Sequence, residues 1–188
     1  LRAFFFFFPM LLSFFVPALT MRLFSEESKS GSMETLMTLP VNEVHVVTGK
    51  YLASFLSTLI MISPSIFYVI TTAIFGDPDV GPIIGGYIGT IFLCAGFTAV
   101  GDFASSVTKN QIIAFFTGFI ICIALTMIDT FLVFLPSNIV EFVSYISADM
   151  HFRSITQGII DSRDLVYFIT VFALFFTATI KVQQNAKK

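Results

Sequence analysis

Two histidines, two cysteines and a thin scatter of carboxylates are the side chains of this sequence that can do chemistry, and their spacing builds no reactive group. His45 and His151 fall in stretches that the charge pattern below puts on opposite sides of a membrane, so they cannot share a metal ion or a triad. Cys94 and Cys122 lie inside apolar runs, where a thiol acts as a small packing residue. Gly49-Lys50 lacks the upstream glycine and the strand of a phosphate-binding loop. No cofactor or metal is expected. Two carboxylates stand within or beside apolar runs, where an ionisable group is a functional candidate by default. Asp129 precedes Pro136 by about 10 Å of helix at ~1.5 Å per residue. It either lines a path or reaches the headgroups. Asp102, six residues before Thr108, reads as a solvated helix end. Neither has a base at helical spacing.

The elements that position these residues are apolar segments. Of the 188 residues, 56% are hydrophobic and 12% charged, with mean hydropathy +0.90 and net charge −2. Soluble domains carry about 25% charged residues, so a soluble enzyme domain, a disordered tail and a nucleic-acid binder are excluded. A bilayer span needs about 20 mostly apolar residues. Five stretches serve: Ala3–Met21, Tyr51–Phe75, Val80–Gly101, Ile112–Pro136 and Leu165–Ile180, the last short unless Asp164 and Lys181 sit at the two interfaces. The expected fold is an all-α, polytopic transmembrane bundle, because open sheet edges go unsatisfied in hydrocarbon and no barrel alternation is present.

Orientation follows from lysine and arginine. Arg22, Lys29, Lys50, Lys109, Lys181, Lys187 and Lys188 occupy the first, third and last gaps, against Arg153 and Arg163 in the others. The first set is expected in the cytoplasm, which puts the C-terminus inside a multi-pass protein of the cell (inner) membrane. An external N-terminus without a cleavable leader is awkward to insert, so one further helix is expected upstream.

The 22–50 loop carries the clearest local signal. Ser32 is a good N-cap, Glu34 sits in the first turn, and Pro40 stops the helix. Met33, Leu36 and Met37 form one apolar stripe. Two turns of amphipathic helix are unstable alone and need a surface: the membrane, the chain's own spans, or a soluble partner.

Phe24-Ser-Glu-Glu-Ser-Lys-Ser-Gly-Ser-Met-Glu-Thr-Leu-Met-Thr-Leu-Pro-Val with Gly49-Lys50-Tyr51, then Ser105–Gln111 and His151–Tyr167, resemble in order the permease subunits of type-two ABC exporters. The likeness is strongest to the branch of gliding-motility-associated permeases. It implies six spans, two permease subunits enclosing a path, and separate ATPase subunits that drive it. Residues 31–40 would be the coupling helix, including Leu39, docked on the ATPase. Glu26 and Glu27 match the family's acidic pair and Gly31 its turning glycine. Ser28 and Ser30 stand where bases are common, Ser32 replaces threonine, and Asp102 is unusual where the family is apolar. The rivals are a non-transporting membrane scaffold for an ATPase and, more remotely, an intramembrane enzyme, for which only Asp129 is available.

Several apolar features await a packing partner. Gly81, Gly85 and Gly89 make a small-residue face suited to close helix contact, within the chain or across a dimer. Pro9, Pro17 and Pro64 should kink helices. Phe4–Phe8 reads as lipid-facing bulk, and Tyr51 and Tyr167 as interfacial anchors. The external 136–164 stretch, with Ile139, Val140, Phe142, Val143, Ile146, Phe152, Ile155 and Ile159 at helical spacing, is expected to form two re-entrant helices. In a background free of Cys94 and Cys122, a cysteine at Asp79 or Ser147 should react with an impermeant thiol reagent on intact cells. One at Ser28 or Asn110 should react only after lysis. External labelling of Ser28 would reverse the topology.

Overall fold

The computed structural model describes residues 2–32, 42–76, 79–131, 145–158 and 161–186. These fold into helices α1 (Arg2–Phe6), α2 (Phe8–Thr20), α3 (Ser25–Ser30), α4 (Glu43–Ile62), α5 (Ser65–Phe75), α6 (Val80–Val107), α7 (Gln111–Phe131), α8 (Ala148–Thr156) and α9 (Ser162–Ala186). Five segments are long and apolar enough to cross a membrane: Phe8–Ser30, Glu43–Phe75, Val80–Val107, Gln111–Thr130 and Ser162–Asn185. The all-α bundle expected from the sequence is the observed architecture.

Helix ends follow capping rather than charge. Asn42 accepts from the Val44 amide and starts α4 well before Tyr51, so Lys50 lies inside the helix instead of ending it. Asp79 caps α6 in the same way. Asn110 accepts from the Ile112 amide at the head of α7. α6 runs on through Asp102 to Val107, and α9 spans 25 residues rather than 16. Proline breaks the second span, which turns at Ser63-Pro64 between α4 and α5.

α6 is the hub against which α2, α4, α7, α8 and α9 all pack. Its glycines make that approach possible. A methyl group at Gly85 would meet the Ile155 carbonyl oxygen at 2.3 Å, and one at Gly86 would meet the Phe5 ring at 2.6 Å. At Gly101 the obstacle is the Thr20 hydroxyl, 2.1 Å away. The glycine face thus serves packing within the chain. Phe152 and Ile155 of α8 are fully buried against it, so this helix turns its apolar side to the protein. Residues 139, 140, 142, 143 and 159 of the expected re-entrant pair lie outside the described residues.

Three expectations change. The phenylalanine run is split: Phe5 and Phe8 are core, and only Phe6 and Phe7 are exposed, because helical rotation cannot turn consecutive residues to one side. Tyr51 is buried, its hydroxyl donating to the Ala95 carbonyl at 3.1 Å, and Tyr167 donates to the Ile146 carbonyl at 2.7 Å. Both phenols thus satisfy backbone carbonyls of the chain, Tyr51 from within the bundle and Tyr167 from its partly exposed surface. Ser147 is a buried cap of α8, leaving Asp79 and the exposed Asp161 as better labelling positions. Gly85→Ala should lower stability in detergent by about 1–3 kcal/mol through overpacking, seen as a fall in the thermal unfolding midpoint. Gly49→Ala, with nothing within 4 Å of the added carbon, should not lower it.

Candidate functional site

The end of the bundle that carries the 22–50 loop is built by short-range polar ties. After α2 the chain turns through residues 21–24 into α3, and Ser105 of α6 holds that turn. Its hydroxyl accepts from the amides of Phe24 (3.0 Å) and Ser25 (3.2 Å) and donates to the Met21 carbonyl (2.9 Å). These are helix-start amides that would otherwise be unsatisfied in a buried place. Phe24 and Val47 are buried beneath, with Phe176 and Ile180 of α9 packed on them.

A second tie joins the loop to α4. The Lys50 ammonium donates to the Leu23 carbonyl at 2.6 Å, pairs with the Glu27 carboxylate, and lies 4.5 Å from the centre of the Phe24 ring. Glu27 is therefore committed within the chain, whereas Glu26 is exposed. α3 ends at Gly31, whose φ of 77° is the left-handed conformation that favours glycine at a helix C-terminus. Ser32 turns its hydroxyl back, 2.9 Å from that of Ser30 and 3.4 Å from the Glu27 carbonyl. The other expected docking residues, Met33, Glu34, Leu36, Met37, Leu39 and Pro40, lie outside the described residues.

At the opposite end sit the charges that the sequence left unpaired. Asp129 does have a basic partner, supplied by another helix: Arg153 of α8 approaches it at 3.7 Å while pairing with Asp149. The same guanidinium lies 4.6 Å from the centre of the Phe6 ring. Burial pushes the Asp149 carboxyl above its ordinary value, and the Arg153 charge pulls the other way. His151 joins α8 to α9, with Nδ1 2.7 Å from Asp164, Nε2 3.1 Å from the Tyr145 carbonyl, and its ring stacked on Tyr167. Asp129 is thus a member of an ion-pair group that pins α8 to α7.

Asp102 also departs from its expectation. It is 2% exposed on the inner face of α6, with Oδ2 3.1 Å from the Ser54 hydroxyl of α4, because the helix continues past it and α4 covers it. Nothing local in the sequence marks Ser105 or Ser54, and Arg153 entered only through the charge count. Ser105 lay in a stretch already singled out, but a hydroxyl that caps a remote turn has no local pattern.

Among the described residues no group of three or more His, Cys, Asp or Glu can hold a metal ion. Cys94 and Cys122 are buried and free, so both act as packing residues. A helical bundle with five potential spans, polar ties at both ends and a loop suspended from one of them defines a multi-pass membrane protein. The chain belongs to the ABC-2 family of transporter proteins, whose family model matches residues 1–181. No curated protein and no solved structure matches it. Membership makes the chain a membrane permease component of an ABC transporter, a class that works with an ABC ATPase.

Ser105→Ala should leave the Phe24 and Ser25 amides unpaired, at a cost of about 1–3 kcal/mol. Hydrogen exchange of residues 22–30 should accelerate, while Ser106→Ala should leave it unchanged. Arg153→Gln should lower the unfolding midpoint more than Arg163→Gln, since only the former leaves two facing carboxylates without their cation.

Proposed function

We propose that this chain is one of two permease subunits of an exporter of the cell (inner) membrane, driven by ATPase subunits on which residues 31–40 dock. Outward transport and kinship with the gliding-motility-associated branch rest on the resemblance of segments 24–41, 105–111 and 151–167. ATP hydrolysis belongs to the partner. The cytoplasmic placement of the loop and of the C-terminus rests on the distribution of basic residues.

One observation carries the docking reading: the loop leaves the bundle through a rigidly tied base. α3 is held to α6 through Ser105 and to α4 through Glu27 and Lys50. A force on residues 33–40 would therefore reach two spans directly. Gly31 redirects the chain just before the Met33–Leu36–Met37 stripe, which supplies the apolar contact. Glu26, exposed on α3, is the acid available to a partner. Exposed apolar surface on α2, α4 and α5, including Leu11, Phe15 and Phe67, suits a second permease subunit as well as lipid.

The test is Leu36→Asp, co-expressed with the ATPase. Burying an unpaired charge at the interface is unfavourable by several kcal/mol, and ~1.4 kcal/mol is tenfold in affinity. Association should fall more than a hundredfold while permease levels in the membrane stay unchanged, because residue 36 lies outside every span. Full retention of ATPase by the variant would refute docking through this stripe and leave the helix on the membrane surface.

A further inference from the structure

Inside the bundle, one hydroxyl hydrogen faces two acceptors. The Ser54 hydroxyl lies 2.9 Å from the Tyr51 carbonyl of its own helix and 3.1 Å from Asp102 Oδ2. It has a single hydrogen to give. Either that hydrogen is shared weakly between the two acceptors, or each contact is a full hydrogen bond because the carboxyl of Asp102 brings a hydrogen of its own. The second carboxyl oxygen points to the latter. Asp102 Oδ1 is buried and has no hydrogen-bond partner among the described residues. An ionised carboxylate so placed would hold its charge on one accepted bond, which is far more unfavourable than leaving the carbonyl oxygen of a neutral acid unpaired. Thr98, one helical turn away on α6, also has a buried hydroxyl without a partner among the described residues.

Among the described residues, Lys50 is the cation whose charge reaches Asp102, and it is already committed elsewhere. On α4, Lys50 is engaged by the Leu23 carbonyl and Glu27, and the Tyr51 hydroxyl donates to the Ala95 carbonyl. α2 and α9 bring the uncharged Thr20 and Phe175 to the adjoining residues Gly101 and Phe103.

We propose that Asp102 and Ser54 form a proton-binding site between α4 and α6. With the proton bound, Asp102 donates to Ser54, which donates to the Tyr51 carbonyl, and one chain of hydrogen bonds closes the two helices. When the proton leaves to water, the Ser54 hydrogen turns to the carboxylate and the Tyr51 carbonyl loses its side-chain donor. A bare charge then lies in the α4–α6 contact, one turn from Lys50 and the loop base. Proton occupancy therefore sets which hydrogen bonds join α4 to the hub. The site stands on this geometry and is independent of where residues 31–40 dock.

Infrared difference spectroscopy of the full chain in lipid vesicles near neutral pH, wild type minus Asp102→Asn, reads the site directly. The expected result is a carboxylic-acid carbonyl band in the wild type that shifts in heavy water and is lost in the variant. In Ser54→Ala the band should persist and move to higher frequency, because the acid has lost its acceptor. Asparagine can donate to Ser54 as the acid does, so Asp102→Asn should fold with an unchanged unfolding midpoint. Should it fail to accumulate, aspartate labelled at the carboxyl carbon in wild type and Ser54→Ala reports the same band. Loss of ionised carboxylate bands alone would overturn the proposal. So would carboxylate bands that move on adding sodium chloride, which would make the site a cation site.

Discussion

The backbone of α6 can be reached from several sides at once, and most of the architecture depends on that. In a bilayer the lipid tails are as apolar as leucine, so helices associate through close packing and polar contacts rather than by escaping water. α6 meets this requirement with glycines where neighbours arrive. The Ile155 carbonyl of α8 lies where a side chain at Gly85 would be, Phe5 occupies the space beside Gly86, and Thr20 fills that beside Gly101. With α8 seated, Arg153 is carried to Asp129 and His151 to Asp164. With α2 seated, its following turn is delivered to Ser105.

The second constraint is that polar groups inside such a bundle must find partners within the chain. Threonines satisfy their own helices, as Thr20, Thr58, Thr90 and Thr126 do by donating to the carbonyl four residues back. Longer ties run inside the bundle from Tyr51 to Ala95 and from Ser54 to Asp102, and the charged ones gather at the two ends. One end is closed by the Arg153 and His151 groups, and the other by Ser105 and the Lys50–Glu27 pair. The latter joins the loop base to α4 and α6, the two helices between which Asp102 lies. Loop, hub and buried acid are therefore mechanically adjacent, although they are distant in sequence.

Much of this was legible in the sequence, for identifiable reasons. Charge-free runs gave the spans, and three ordered segments gave the family, since both signals are local. The errors came from reading each charge as a boundary. Lys50 and Asp102 are inside helices because Leu23, Glu27 and Ser54 satisfy them across the fold. Asp129 lacked a base only so long as helical spacing was the measure, for Arg153 comes from another helix. The spacing of Gly81, Gly85 and Gly89 announced a close contact without naming its occupant. Phe4–Phe8 looked uniform because composition does not reveal which residues rotate inward.

If the ATPase docks on residues 33–40, a probe placed there must lie against it. A photoreactive amino acid placed at Met37, in the complex with its ATPase in native membranes, should crosslink to the ATPase subunit. The same probe at the exposed Ile60, within α4, should reach only lipid or another permease chain. Crosslinks from position 37 that go solely to lipid or to the chain itself would rule out docking through this segment.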